Sequence, residues 1–265
     1  MNTMVLITLC WNEESIARWV IDYWLRLRSQ LDDLKVVIWD NCSDDDSVKI
    51  FSQYDWIEIR QFKSDGMNDV IHQHIKNNCW KEFKGKYRWC CICDIDELLW
   101  SNCLVEELQY MKDNGYNVLG NEWIAFCGDK EPEYEEGKYL HQLVKRGYHQ
   151  YINHMPQYKH LGKFILFDME VVEEINYSVG MHILFSMKPY FKLYQTNKII
   201  TFHINKGLSE DFFVNRRKIM GERLSDTNKK YKMAIEYLNP EDEIRKEYRN
   251  YQKNSFDIND NNCNN

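Results

Sequence analysis

Two carboxylates stand two residues apart at Asp94-Ile95-Asp96, directly after the apolar run from Tyr87 to Cys93 and directly before Glu97 and Leu98-Leu99-Trp100. A run of that composition reads as a buried strand, so the pair sits where the chain leaves a sheet. Side chains at i and i+2 in such a place can both reach one divalent cation. Hard oxygen ligands suit Mg²⁺ or Mn²⁺, which keep coordination positions for diphosphate oxygens. An ion held there neutralises a leaving diphosphate, which is Lewis-acid chemistry. Acidic residues also simply end strands. The pair is nevertheless pinned between apolar segments, where a carboxylate without a partner is costly and a metal is one natural partner.

Other residues fit the same chemistry. Asp40 ends the apolar run Lys35–Trp39 and could accept from a base or ribose hydroxyl, or could belong to a turn and helix cap through Asp46. His182 and His203 lie in otherwise apolar stretches, and either could complete a metal site or sit hydrogen-bonded in the core. Arg216, Arg217, Lys218 and Arg223 could cover a diphosphate or lie on a solvated helix face. As a general base, Glu122, Asp129, Glu135 and Asp168 are all possible, and none stands out.

The elements that must position these residues alternate. Strands are predicted at Met4–Cys10, Lys35–Trp39, Trp56–Arg60 and Tyr87–Cys93, with an amphipathic helix from Asn12 to Arg28, a helix fed by the polar loop Asp40–Asp46, and another over Asn68–Phe83. Strands separated by helices imply a mainly parallel sheet with right-handed crossovers. Ligands of such sheets bind outside the carboxyl ends of the strands. Trp11-Asn12-Glu13, Asp40-Asn41 and Asp94–Glu97 all fall at such ends and should converge on one crevice. Further strands are predicted at Asn117–Cys127 and Lys163–Phe167, with a charged loop over Asp129–Lys138 between them, and Ile199–His203 is another apolar segment. The chain turns helical from Ser209. A last helix is predicted to start at Asn239-Pro240, with the asparagine capping and proline in the first position. The Asn- and Asp-rich stretch from Asn259 to Asn265 reads as a disordered tail.

Composition narrows the function classes. A formal net charge of −7 disfavours a nucleic-acid partner, since such binding runs on clustered cations. Hydrophobic residues make up 44% of the 265, enough for a sizeable core. The nine cysteines follow no zinc-like spacing, and Cys90, Cys91 and Cys93 read as buried reduced thiols in a strand. An odd count without a disulfide-like framework or leader-like N-terminus predicts a reducing, cytoplasmic compartment. No apolar run reaches the ~18 residues of a membrane span. Phe212, Phe213 and nearby Lys and Arg would permit peripheral membrane contact, and core packing would explain the aromatics equally well.

Taken in order, these pieces resemble family 2-like glycosyltransferases of the GT-A fold. Thr8-Leu-Cys-Trp-Asn12-Glu13-Glu14 with Trp19 resembles their opening motif, and Asp40-Asn41-Cys42-Ser43-Asp44 their nucleotide-binding turn. Asp65-Gly66-Met67-Asn68-Asp69, followed by a helix with Lys76 and then Lys81, resembles the segment before the metal motif, which Asp94-Ile95-Asp96-Glu97 matches. Gly180-Met181-His182, Phe202-His203 and the stretch from Arg223 to Lys229 resemble later elements, so the likeness runs over residues 3 to 238. It implies a GT-A catalytic domain over 1–207, a helical extension over 208–256 and a tail from 257. It also implies a nucleotide-diphosphate sugar donor, Mn²⁺ or Mg²⁺, a glycan, lipid-linked or protein acceptor, and inversion. By the same resemblance Asn12, Glu13, Asp40, Asn41, Asn68, Lys76, Lys81 and Asp94 would bind the nucleotide sugar. Asp94, Asp96 and Glu97 would serve catalysis, and His182, or His203 behind it, would join Asp94 and Asp96 on the metal. The alternatives are a non-catalytic carbohydrate- or partner-binding module on the same fold, or a metal-dependent phosphohydrolase.

Overall fold

A computed structural model describes residues 1–149, 163–181, 191–204 and 207–258. The chain opens β1 (Thr3–Cys10), α1 (Glu14–Gln30), β2 (Asp33–Asp40), α2 (Ser47–Phe51), β3 (Ile57–Gln61), α3 (Asp69–Asn78) and β4 (Trp89–Asp94). Strands β1 and β4 are buried almost throughout, as continuous apolar runs covered on both faces must be. Neighbours run in the order β3-β2-β1-β4, all parallel. The chain therefore steps from β1 to one side twice, then returns through α3 to the other side of β1. That reversal puts a topological switch point between β1 and β4, where open α/β sheets leave a crevice. Register aligns the strand ends: Leu9 faces Asp94 and Cys10 faces Asp40.

The rest of the sheet is mostly antiparallel. β5 (Glu97–Ser101), α4 (Leu104–Asp113), β6 (Val118–Phe126), α5 (Leu140–Leu143), β7 (Arg146–His149), β8 (Leu166–Asp168) and β9 (Leu193–His203) follow. β8 pairs antiparallel with β4 and continues the sheet through β6 and β7. β9 lies between β5 and β6, with His203 opposite Glu97. The turn Ile95-Asp96 thus connects the parallel unit to a second, antiparallel group of strands.

The C-terminal part comprises α6 (Glu210–Glu222), α7 (Asp226–Tyr231), α8 (Glu241–Lys253) and β10 (Phe256–Asp257), which pairs with β7. Ser209 and Ser225 cap α6 and α7 through their side chains. The start of α8 departs from expectation: Pro240 itself takes the cap position and no side chain caps the helix. Proline needs no N–H bond there, and Glu241, Asp242 and Glu243 complement the dipole. Phe213 is fully buried with Cys127, Val214, Ile244 and Tyr248 in a small second core, and Phe212 packs against the main one, so both aromatics serve the interior. No helix among the described residues is long and apolar enough to cross a membrane. The eight cysteines among the described residues are free thiols, with Cys90, Cys91 and Cys93 buried in β4. Residues 259–265 lie outside the described residues.

Candidate active site

A pocket of about 400 Å³ opens at the switch point, lined by Trp11 and Glu13 from the loop after β1, by Asp94 at the end of β4 and Asp96 in the turn that follows, and from the far side by α6. Arg216, Met220 and Arg223 recur at i, i+4 and i+7, one face of that helix, and all three line the pocket. The end of α6 is docked on the loop before α3, where the Met67 amide donates to the Arg223 carbonyl at 2.7 Å. Gly66 permits this approach. It holds φ +101°, and a Cβ there would lie 2.1 Å from the Arg223 carbonyl oxygen. Docking sets the Arg223 guanidinium 3.2 Å over the Trp11 ring. Burial pushes Arg223 down to about 10. His72, edge-on to Phe62 at 5.9 Å, is pushed down to about 4 by burial and then by Lys76. One wall of the pocket is therefore aromatic and broad, and the floor is charged.

The floor is an ion-pair network. Lys76 of α3 bonds Asp94 Oδ1, and Lys163 bonds Asp94 Oδ2 at 2.8 Å while also engaging Glu97 Oε1. Glu97 Oε2 accepts from the Asp94 amide at 2.8 Å, which closes the turn between β4 and β5. Arg216 grips Glu13 with two bonds of 2.8 Å and reaches Asp96 Oδ2 at 3.0 Å. His203 Nε2 stands 3.6 Å from the same Asp96 oxygen. Burial would raise Asp94, but the two lysines outweigh it and hold it well below the usual carboxylate range. Burial likewise opposes ionisation of Asp96, and His203 with Arg216 reverses that too. Glu97 is different: burial pushes it up to about 8 against the pull of Lys163. With Glu97 holding its proton near neutral pH, the carboxylates of Glu13, Asp94 and Asp96 face the three cations Lys76, Lys163 and Arg216, so the floor is close to charge balance.

Comparisons with known proteins bear on the fold. No family model matches the sequence, and no curated protein sequence is similar to it. Among solved structures, Staphylococcus aureus TarS aligns over 97% of this chain and 44% of its own, at 13% identity and a TM-score of 0.51. Residues 1–349 of the same protein in complex with UDP-GlcNAc align over 89% of this chain and 72% of that one, at 14% identity and a TM-score of 0.49. This chain shares the TarS fold. It spans less than half the length of the longer TarS chain.

The expected convergence of the three strand-end clusters is present, with Trp11, Glu13, Asn41, Asp94 and Asp96 on one pocket. Several predicted binders instead build the loops around it. Asp40 is buried and accepts from the Ser43 amide and hydroxyl, the turn role left open from sequence. Asn12, left-handed at φ 49°, ties the first loop to the second through Asp44. Asn41 spends its amide on Ser64 and the Gly66 carbonyl, and Asn68 caps α3 through Ile71. Lys81 lies in a separate, shallower groove, paired with Glu174.

The suggested bases lie elsewhere. Asp168 faces Trp89, at the opposite end of β4 from Asp94, and is buried against Arg88 at 2.6 Å. Glu122 pairs with His149 at 3.2 Å, and strand alternation puts it on the face opposite Trp123, whose ring meets His203 at 5.5 Å. Asp129 bonds Arg146 beside α8, and Glu135 pairs with Lys138 in its own loop. None of the four lines the pocket. His182 lies outside the described residues, directly after the pocket-lining Met181.

For a divalent ion, Asp96, Glu97 and His203 bring three donor atoms within 4.8 Å of one another. Glu97 has no exposed side-chain surface and both its oxygens are engaged, whereas Asp96 and His203 line the pocket. The residues fit an ion held by two protein donors and completed by phosphate oxygens and water. Asp94 belongs to the lysines instead, because each of its oxygens already accepts from an ammonium. The role of Lys163 emerges only in three dimensions, as does the pairing of Arg216, a residue the sequence offers as one of several that could cover a diphosphate. A lysine at the head of an apolar strand is the faint trace of the former in the sequence, since the partners of Lys163 lie 66 and 69 positions away.

Proposed function

We propose that this chain is a metal-dependent glycosyltransferase that moves a sugar from a nucleotide-diphosphate donor to a glycan, lipid-linked or protein acceptor, with inversion. The observation that carries the reading is the placement of Asp96 and His203 on a pocket at the β1/β4 switch point, under a helix that supplies arginines. The TarS-like fold is consistent with it. Residues 1–207 form the catalytic unit and 208–256 complete it by lending Arg216 and Arg223.

In this reading the base stacks in the broad mouth near Trp11, Phe62 and His72, and Lys76, Lys163 and Arg223 face the diphosphate. Asp96 and His203 hold the ion, and the imidazole nitrogen, softer than oxygen, suits Mn²⁺ better than Mg²⁺. When bound, the ion supplies Lewis-acid neutralisation of the leaving diphosphate. Asp94 orients Lys76 and Lys163, and Glu97 fixes the turn that carries Asp96. Of the acids lining the pocket, Glu13, Asp94 and Asp96 are ion-paired and Asp69 accepts from Asn228, whereas Glu236 is exposed at the mouth. Glu236 is therefore our choice for the base that takes the acceptor hydroxyl proton.

The test is calorimetry and thermal shift against UDP, GDP, CDP and their sugars, UDP-GlcNAc included, each with Mn²⁺, Mg²⁺ or EDTA. One nucleotide should stabilise the protein with metal only, by about 2.7 kcal/mol at a hundredfold excess over Kd. Asp96→Asn should lose that stabilisation while melting close to the parent without ligand. Wild-type turnover in Asp96→Asn refutes the reading. Indifference to every nucleotide would instead favour a binding module, a reading to which the lysine-neutralised Asp94 also lends itself.

A further inference from the structure

Arg216 pairs with the carboxylate that a metal would share with His203. Its side chain is 14% exposed, and its guanidinium lies 3.0 Å from Asp96 Oδ2, the oxygen that His203 also faces at 3.6 Å. A divalent ion approaching Asp96 and His203 meets a fixed positive charge on its own carboxylate. The same guanidinium is anchored by two 2.8 Å bonds to Glu13, which is 5% exposed in its side chain and sits on the loop after β1. Arg216 thus bridges both acids, and an ion approaching Asp96 competes with it for that carboxylate.

We propose that Arg216 is a resident counter-ion that makes metal entry conditional on the nucleotide. In the empty site it balances Asp96 and Glu13 and repels the ion. A diphosphate arriving beneath α6 offers the guanidinium bidentate phosphate oxygens, the acceptor geometry arginine matches best. Arg216 then turns from Asp96 to the phosphate, Asp96 becomes available, and ion and diphosphate enter as a neutralised pair. The ordering follows from charge. Either partner alone upsets a floor that is already balanced, the metal by adding positive charge beside Arg216 and the diphosphate by adding negative charge beside Glu13, Asp94 and Asp96, whereas together they largely cancel. This inference rests on the proposed role of Asp96 and assigns Arg216 as a positioning residue rather than a catalytic one.

The experiment reads metal binding without turnover. Mn²⁺ binding to the full chain is followed by the loss of the free-ion electron paramagnetic resonance signal, with no nucleotide present. The wild type should bind Mn²⁺ weakly. Arg216→Gln should bind it at least about tenfold more tightly, the order expected when one charge is removed beside a buried pair. Because Arg216→Gln leaves Glu13 buried and unpaired and could compromise folding, the charge-balanced double variant Glu13→Gln/Arg216→Gln is measured beside it and should gain the same nucleotide-free affinity. Adding the nucleotide that stabilises the protein should tighten Mn²⁺ in the wild type far more than in either variant. Tight nucleotide-free Mn²⁺ binding by the wild type overturns the proposal, as does an unchanged affinity in the folded double variant. The metal-only arm decides Arg216, and the nucleotide arm decides the transferase reading, so the two can fail separately.

Discussion

His141 offers the sharpest quantitative handle on this fold. It is 4% exposed, its Nδ1 lies 2.6 Å from the Tyr23 hydroxyl, and its ring stacks on Phe202 at 4.8 Å between Trp100 and Tyr139. Burial, then Arg26 and Lys145, push its pKa down to about 3. In the unfolded chain an imidazole titrates near about 6.5, so the folded state refuses a proton that the unfolded state accepts. A depressed folded value means that the stability contribution is complete above about pH 6.5 and is lost as pH falls toward the folded value. At pH 4.5 the penalty is two pH units at about 1.36 kcal/mol each, or about 2.7 kcal/mol, a large fraction of a typical 5–15 kcal/mol total. Urea unfolding at pH 7.0 and 4.5 measures it in wild type and His141→Gln. The variant should be less stable at neutral pH, since the aromatic box loses a ring, yet it should lose about 2.7 kcal/mol less between the two pH values. Equal losses in both proteins would refute the reasoning. The box matters to the site because Phe202 precedes His203, so what locks Phe202 also aims the imidazole at Asp96.

Two further outcomes follow from the site. Glu236→Gln should lower kcat by about a hundredfold or more while leaving nucleotide-dependent thermal stabilisation intact, the signature of a lost base rather than a lost binding group; unchanged kcat would move the base elsewhere. Gly66→Ala should cost about 2 kcal/mol or more in urea unfolding and weaken nucleotide binding, because its Cβ would displace the Arg223 carbonyl and with it the guanidinium on Trp11; a neutral substitution would show that this docking does not set the mouth of the pocket.

The parallel unit was legible because its signals are local. β1, β2, β3 and β4 are apolar or alternating runs, and the helices between them carry their own periodicity. Each begins or ends within a few residues of where the pattern places it. β5 and α4 were harder to read, because Leu98-Leu99-Trp100 is too short a run to reveal its strand pairing, and that pairing is with β9, about a hundred residues on. The convergence of strand ends could be reasoned from topology, whereas the use of each polar group could not. Asp40, Asn12, Asn41 and Asn68 have the right types in the right order for ligand contacts, yet they spend them on serines, amides and helix ends. Composition gives no measure of which lone pairs are already taken. Arg216 was one basic residue among several on a helix, and only the approach of that helix to Glu13 and Asp96 distinguishes it from its exposed neighbour Lys218, which pairs with Glu241.

The pairing of Glu13 with Arg216 spans 203 positions, and that of Asp96 with the same residue spans 120. During synthesis, the strands that build the crevice can emerge and associate well before α6 exists. Until then Glu13 and Asp96 must remain hydrated or protonated, since neither can be buried as a charge without its partner. Long-range closure of this kind is slow, and intermediates with unfinished interiors are prone to associate. Growth of the nascent chain therefore imposes a schedule: the crevice becomes electrostatically complete only once α6 has been made.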